Sequence, residues 1–321
     1  MTSGNASCAR PRSRSDPGAR GRAVLAALVA LAALAPAGPA SAGVLRVCDA
    51  PTELDATRQD TLFRFADVVR TTLESTGAAL ALVSRAGLDL SRFEMRYSHA
   101  GISLRESRNA PWSVRQLYYD CDTRRPRIYD EGLAGFVVGA GDAPVGWFAA
   151  VVLPADEAPV ERAARDDRLA LRLLAGTYSA NAYAFRPDYQ NCNQWVAELL
   201  AVAWGGLDAT GDGLRDRAQG WLRASGYAPA RFEVRNPLLI GAAAALPWLH
   251  VADHPPEDVA PGVFRVSMPA SIDAFARSRV PGARRFEFCH ANRRIVVREG
   301  WTPIDAGCVP RPGDRVVELD R

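Results

Sequence analysis

Apolar positions between Asp55 and Ser75 recur at spacings of three and four (Leu62, Phe65, Val68, Val69, Leu73), and Gly77 follows. This pattern predicts a helix over 55–75 with one buried stripe. Ala79 to Val83 is a short apolar run and reads as a buried strand; Arg92 to Leu104 is a second strand region. After a turn at Asn109-Ala-Pro111, Trp112 to Tyr119 has the β-branched and aromatic composition of a strand, and Phe148 to Leu153 is another, ended by Pro154. Glu157 to Leu174 reads as a helix closed by Gly176. A strongly apolar helix then runs from Cys192 to Trp204, where Gly205-Gly206 stops it, and Arg215 to Ser225 gives one more. Residues 228–262, rich in proline and alanine, form a connection with a short apolar helix inside it. From Val263 the pattern turns to strands again: Phe264 to Ser267, Arg285 to Phe288, Arg294 to Val297 and Val316 to Leu319. Mixed helices and strands without strict alternation predict an α+β fold. The expected organisation is a main domain over 43–227, a connecting segment over 228–262 and a β-rich C-terminal extension over 263–321.

The first 42 residues change the picture of the rest. Arg10, Arg12, Arg14, Arg20 and Arg22 precede an uninterrupted apolar run from Ala23 to Leu34, and Ala40-Ser41-Ala42 follows. A basic start, a short apolar core and an A-x-A site describe a secretory signal peptide, cleaved after Ala42. The core is too short to span a bilayer, which takes about 20 residues. Export to the periplasm or beyond is therefore expected, with no transmembrane segment after cleavage.

Charge follows from the same division. The whole chain carries 39 basic and 36 acidic residues, a net +3, and the leader holds five arginines against Asp16. The remainder has 34 basic and 35 acidic residues, so the basic surplus belongs to the leader. No basic run remains to track a phosphate backbone, which argues against nucleic-acid binding.

Without Cys8 the exported chain keeps Cys48, Cys121, Cys192, Cys289 and Cys308. An odd number outside the cytosol leaves one thiol over or makes an intermolecular bridge. With Cys192 free, the other four cysteines allow three pairings; the one favoured joins Cys289 to Cys308, which bracket one short hairpin-like unit, and by elimination Cys48 to Cys121.

Cys192 follows Asn191, a helix-capping residue, at the mouth of the apolar helix. Unpaired N–H groups of a first helical turn favour negative charge, and a lowered thiol pKa makes a cysteine nucleophilic. A thiol catalyst also needs a base and an orienter for that base. Of the four histidines, His99 lies in a strand region beside the small residues Ser98, Ala100 and Gly101, which allow close approach. Gln116 or Gln190 could hold its ring, and the Cys192 N–H could serve as an oxyanion donor. Ser98, Gly101, Asn191, Asn193 and Gln194 are then the candidate lining of a cleft. The plain alternative is that Cys192 is a small core residue.

Asn191-Cys-Asn-Gln-Trp-Val196 resembles the catalytic-helix signature of circularly permuted NlpC/P60 (papain-like) thiol hydrolases, and Ser98-His-Ala-Gly-Ile102 resembles their histidine strand. The order His, polar residue, Cys is the permuted one. Over a longer span, Val114-Arg-Gln-Leu-Tyr-Tyr-Asp-Cys-Asp122, Tyr178-Ser-Ala-Asn-Ala-Tyr183 and Tyr189-Gln-Asn-Cys-Asn-Gln-Trp195 resemble DUF2145, a family of uncharacterised bacterial exported proteins. The likeness implies an antiparallel sheet packed on helices, with Cys192 as nucleophile, His99 as base and Gln116 where the permuted group often has a glutamate. It implies amide or ester substrates such as peptidoglycan peptide links or lipid acyl groups, and no cofactor or metal. The rival expectation is a non-catalytic envelope protein that binds peptide or glycan in the same cleft.

Other signals are weaker. His250-Val-Ala-Asp-His254, Asp258 and His290 offer metal-ligand chemistry in what reads as a polar loop. Asp208-Ala-Thr-Gly-Asp-Gly213 begins like a calcium loop, but Gln219 stands where the closing glutamate belongs. Arg105, Arg115 and Arg127 could meet an anionic substrate, although salt bridges explain them more simply.

Overall fold

Central strands buried at nearly every position build the molecule around one sheet with two apolar faces. A computed structural model of the chain describes residues 53–319 apart from 140–142, 144 and 244. The expected leader, its cleavage site at Ala42 and Cys48 lie outside the described residues. In chain order the strands are β1 Leu80–Arg85, β2 His99–Leu104, β3 Ser113–Asp120, β4 Arg125–Glu131, β5 Gly146–Val152, β6 Ala230–Glu233, β7 Val263–Val266, β8 Arg284–Ala291, β9 Arg294–Glu299 and β10 Arg315–Glu318. Eight of them form a sheet of order β10-β9-β8-β5-β1-β2-β3-β4, antiparallel at every described pairing, while β6 and β7 make a separate hairpin. The protein is thus α+β. The strands after residue 283 continue the main sheet through the pairing of β8 with β5.

Helices cover both faces. On one lie α1 (Ala56–Ser75) and α2 (Leu133–Val138), which bury Leu62, Phe65, Val69, Leu73 and Phe136 against Ala81, Val83, Val114 and Phe148. On the other lie α3 (Ala158–Arg165), α4 (Asp167–Arg172), α5 (Cys192–Gly205), α6 (Leu214–Ala224) and α9 (Pro269–Arg279). Their apolar side chains meet Leu80, Leu82, Ala100, Ile102 and Leu117. Two short helices, α7 (Pro237–Ala243) and α8 (Pro256–Val259), belong to the connection around β6.

Several expected boundaries move, each for a local reason. The helix expected over 157–174 is two, because the Asp166 side chain accepts the N–H groups of Arg168 and Leu169 and starts α4 afresh. The strand region expected from Arg92 begins only at His99. Before it, Tyr97 Oη and Arg96 reach the buried Glu287 carboxylate at 2.5 and 2.9 Å, which draws this stretch out of register with β1. Strand β4, helix α2 and helix α9 have no counterpart in the sequence reading.

Cys289 and Cys308 form a disulfide as expected, in a small apolar cluster with Ile304 and Val296. Cys121 is also disulfide-bonded; the other half expected for it, Cys48, lies outside the described residues. No helix among the described residues is long and apolar enough to cross a membrane.

Candidate active site at the start of the thiol helix

Helix α5 is fixed at its first turn by its own cap. The Asn191 side chain accepts the Gln194 N–H at 2.7 Å, while its amide donates to the Ala180 and Ser267 carbonyls. Gly206 closes the other end in the left-handed region, at φ 57°. The helix is buried along almost its whole length, so its apolar character is that of a core element rather than an amphipathic one. Behind Cys192 sits a polar lock. Glu198 is fully buried and accepts Arg215 Nε at 2.8 Å, Gln190 Nε2 at 2.7 Å and Gln219 Nε2 at 2.6 Å. Gln190 therefore serves the helix and is not the orienter of an imidazole. Gln219, at the closing position of the calcium-like loop, belongs to the same lock.

Cys192 is a free thiol, as expected, and is only 6 % exposed. The backbone N–H groups of Ala100, Asn193 and Cys192 itself interact with the sulfur and pull its pKa down, but burial outweighs them and pushes the thiol up to about 11. The sequence reading of a thiol ionised by the helix start does not hold for this state, because the surrounding apolar layer includes Tyr178, Tyr119 and Ala100.

His99 opens β2, half-buried, paired with Arg85 of β1. Its Nε2 lies 2.5 Å from Gln116 Oε1, and Gln116 Nε2 donates to Glu131 Oε2 at 2.6 Å. The ring packs near Tyr118 and Phe136, with centroids 5.0 and 5.7 Å away. Burial, and then the nearby Arg85 charge, push the imidazole down to about 3. The structure thus joins His99 to Gln116, and places Cys192 in the same apolar layer as Ala100, the residue after His99. No hydrogen bond links the sulfur to the imidazole among the described residues. Alternation along β2 sends Ala100 into the layer of the thiol helix, whereas the imidazole lies against Phe136 of the opposite layer.

The residues expected to line a cleft are mostly enclosed. Asn191, Asn193 and Gln194 are buried. Asn193 donates to the Ser98 carbonyl at 3.2 Å, and Gln194 to the Tyr183 carbonyl at 3.3 Å. The missing Cβ of Gly101 makes room for strand β3: a Cβ there would stand 2.5 Å from Val114 Cγ1. Ser98, half-buried, receives the Leu88 N–H on its hydroxyl. In this state these residues hold the thiol helix against β2 rather than border an open groove.

Two residues of the site gave no signal in the sequence. Arg85, 3 % exposed, has no carboxylate partner among the described residues. It donates to Tyr118 Oη at 2.5 Å and to the Gly139 carbonyl, and its guanidinium lies 5.2 Å from the Phe136 ring centre. That charge favours a thiolate on Cys192 and opposes an imidazolium on His99. Glu131 accepts Gln116 Nε2 at 2.6 Å because β4 pairs with β3, a neighbourhood that sequence alone does not give.

The remaining candidates are occupied elsewhere. His250 stacks on Tyr189 with centroids 4.4 Å apart, His254 Nε2 bonds the Asn181 carbonyl, and His290 packs on Phe65. No group of three or more His, Cys, Asp or Glu side chains among the described residues is placed to hold a metal ion. Arg115 pairs with Asp130 and Asp167, Arg127 with Asp120, and Arg105 caps the Glu74 carbonyl.

The fold and site together define an α+β protein with a free cysteine at a capped helix start, next to a histidine-bearing strand. The family model described as "Uncharacterized protein conserved in bacteria (DUF2145)" matches residues 72–276, more than half of the chain, so the chain belongs to that family. No curated protein and no solved structure matches it.

Proposed function

We propose that this chain is an exported thiol hydrolase of the permuted NlpC/P60, papain-like kind, acting on an amide or ester bond of the cell envelope. The observation that carries the proposal is local. An unpaired thiol at a capped helix start shares its layer with Ala100, whose N–H favours the thiolate, and the preceding residue His99 has Nε2 anchored by Gln116. That anchoring leaves Nδ1 with its lone pair, the form a general base requires. In the proposed reaction Cys192 Sγ attacks the substrate carbonyl carbon and its proton passes to His99 Nδ1. The N–H groups around the sulfur receive the developing oxyanion, and the imidazolium returns the proton to the leaving amine or alcohol. Water then hydrolyses the thioester, with His99 again as base. Since the thiol is held up and the imidazole down, the resting pair is neutral. Because the imidazole rests against Phe136 in the layer opposite the thiol, turnover requires a rearrangement at the start of β2 that carries the ring to the sulfur.

The enclosed sulfur favours the second reading, a non-catalytic envelope protein that binds peptide or glycan. The two separate on turnover. Protein beginning at Gly43 is incubated with acyl esters of p-nitrophenol and with muropeptides, beside Cys192→Ala and His99→Ala. Under the hydrolase reading Cys192→Ala loses all turnover and His99→Ala loses about 10²- to 10⁴-fold. Turnover by neither substrate class, or turnover that survives Cys192→Ala, would sink it.

A further inference from the structure

A carboxamide is an ambiguous partner for a histidine, because either its oxygen or its nitrogen can face the ring. If the oxygen does, the ring carries its proton on Nε2 and Nδ1 is the base; if the nitrogen does, the roles reverse. Here the amide has a neighbour that removes the ambiguity. Gln116 Nε2 lies 2.6 Å from Glu131 Oε2, and an ionised carboxylate only accepts hydrogen bonds. The Gln116 amide must therefore turn its NH₂ toward Glu131 and its oxygen toward His99 Nε2, 2.5 Å away.

The carboxylate itself is seated rather than incidental. Glu131 ends the edge strand β4, where it pairs with Val114, two residues before Gln116 on β3. The chain then turns into α2, whose Gly135 leaves the side chain its space: a Cβ on Gly135 would stand 2.7 Å from Glu131 Oε1 and 3.0 Å from Cγ. α2 also supplies Phe136, which packs near the His99 ring. One short turn thus places both the carboxylate and the ring's apolar neighbour.

We propose that Glu131 is a positioning residue which, through Gln116, fixes His99 as the Nε2–H tautomer and so leaves Nδ1 as the base. This rests on the hydrolase reading for its purpose, but the tautomer it predicts exists with or without turnover. It also assigns the sequence's apparent shortfall, an amide where a carboxylate belongs, to a carboxylate displaced by one hydrogen bond.

The test reads the tautomer directly, from ring ¹⁵N chemical shifts of His99 in full-length folded protein at neutral pH. The wild type is expected to show the Nε2–H form alone. In Glu131→Gln the new amide can meet Gln116 in either orientation, so Nδ1–H appears, and thiol turnover falls at least ~2-fold if the two orientations become equally populated. Gly135→Ala, which crowds the carboxylate without removing it, should shift the tautomer the same way and serves if Glu131→Gln fails to fold. A wild type in the Nδ1–H form, or a tautomer unmoved in either folded variant, overturns the proposal. A tautomer that responds in a protein with no turnover upholds the relay and overturns the hydrolase reading instead. Turnover dependent on His99 with an unresponsive tautomer does the reverse.

Discussion

At the Cys192 sulfur two influences oppose each other, and their sizes decide the resting chemistry. Enclosure by the aromatic and aliphatic layer outweighs the three backbone N–H groups and the Arg85 charge that favour the thiolate, and the thiol stands at about 11. A group with a raised thiol pKa is protonated below that value and becomes nucleophilic only as pH rises through it. The rate of iodoacetamide modification should therefore keep climbing to about pH 11. At neutral pH it should lie about 100-fold under that of a thiol at the ordinary 9.0, which is two pH units of thiolate population. Mass mapping of the Cys192 adduct across a pH series checks this. A plateau below pH 9 would mean that the sulfur is open to water in solution. His99 is displaced the opposite way, so the pair meets neutral pH uncharged on both sides.

At the scale of elements, the start of α5 is held by a charge buried behind it. Glu198 is fully enclosed and its compensation comes mainly from Arg215 of α6, with Gln190 and Gln219 completing the acceptor. Removing one partner of such a pair leaves an uncompensated buried charge. Arg215→Leu is thus expected to lower stability by about 3–5 kcal/mol in urea unfolding, a loss that an additional Glu198→Leu should largely restore. The elements around this lock were readable because their pattern is strong. Cys192 to Trp204 is almost wholly apolar with an asparagine cap and a Gly-Gly stop, and Leu62 to Leu73 repeats at helical spacing. Strand β4 was not, since Arg125-Pro-Arg-Ile-Tyr-Asp-Glu131 is an exposed, charged edge with little apolar alternation. Helix α9 shows only Ile272, Phe275 and Ala276 as an inward stripe, among polar residues that read equally well as loop. The site divides the same way. Cys192, His99 and Gln116 follow from motif and order, whereas Glu131 and Arg85 enter only through strand neighbours brought together by the sheet.

Across the whole molecule the sheet continues through strands from the end of the chain, and a covalent link ties that end down. The Cys289–Cys308 bridge joins β8 to the loop between β9 and β10, 19 residues later. Closing a loop of that size constrains the unfolded chain by roughly 3 kcal/mol. The double variant Cys289→Ala, Cys308→Ala should lose about that much unfolding free energy, seen as a lower urea midpoint. An unchanged midpoint would show that the C-terminal strands hold without it.

Residues 72–276 carry the family match, but β8 begins at Arg284 and lies along the full length of β5. One flank of a central strand is thus furnished by sequence beyond the matched region. Phe148, Ala150 and Val152 are buried on one side of β5, and Ala149 and Val151 on the other. A chain cut off after Arg279 would bare seven residues of unpaired main chain between two greasy surfaces. Such a ribbon is an open invitation to a like ribbon from another copy, and the shortened protein would be a fibre-former or a strand-exchanged dimer before it was a smaller monomer.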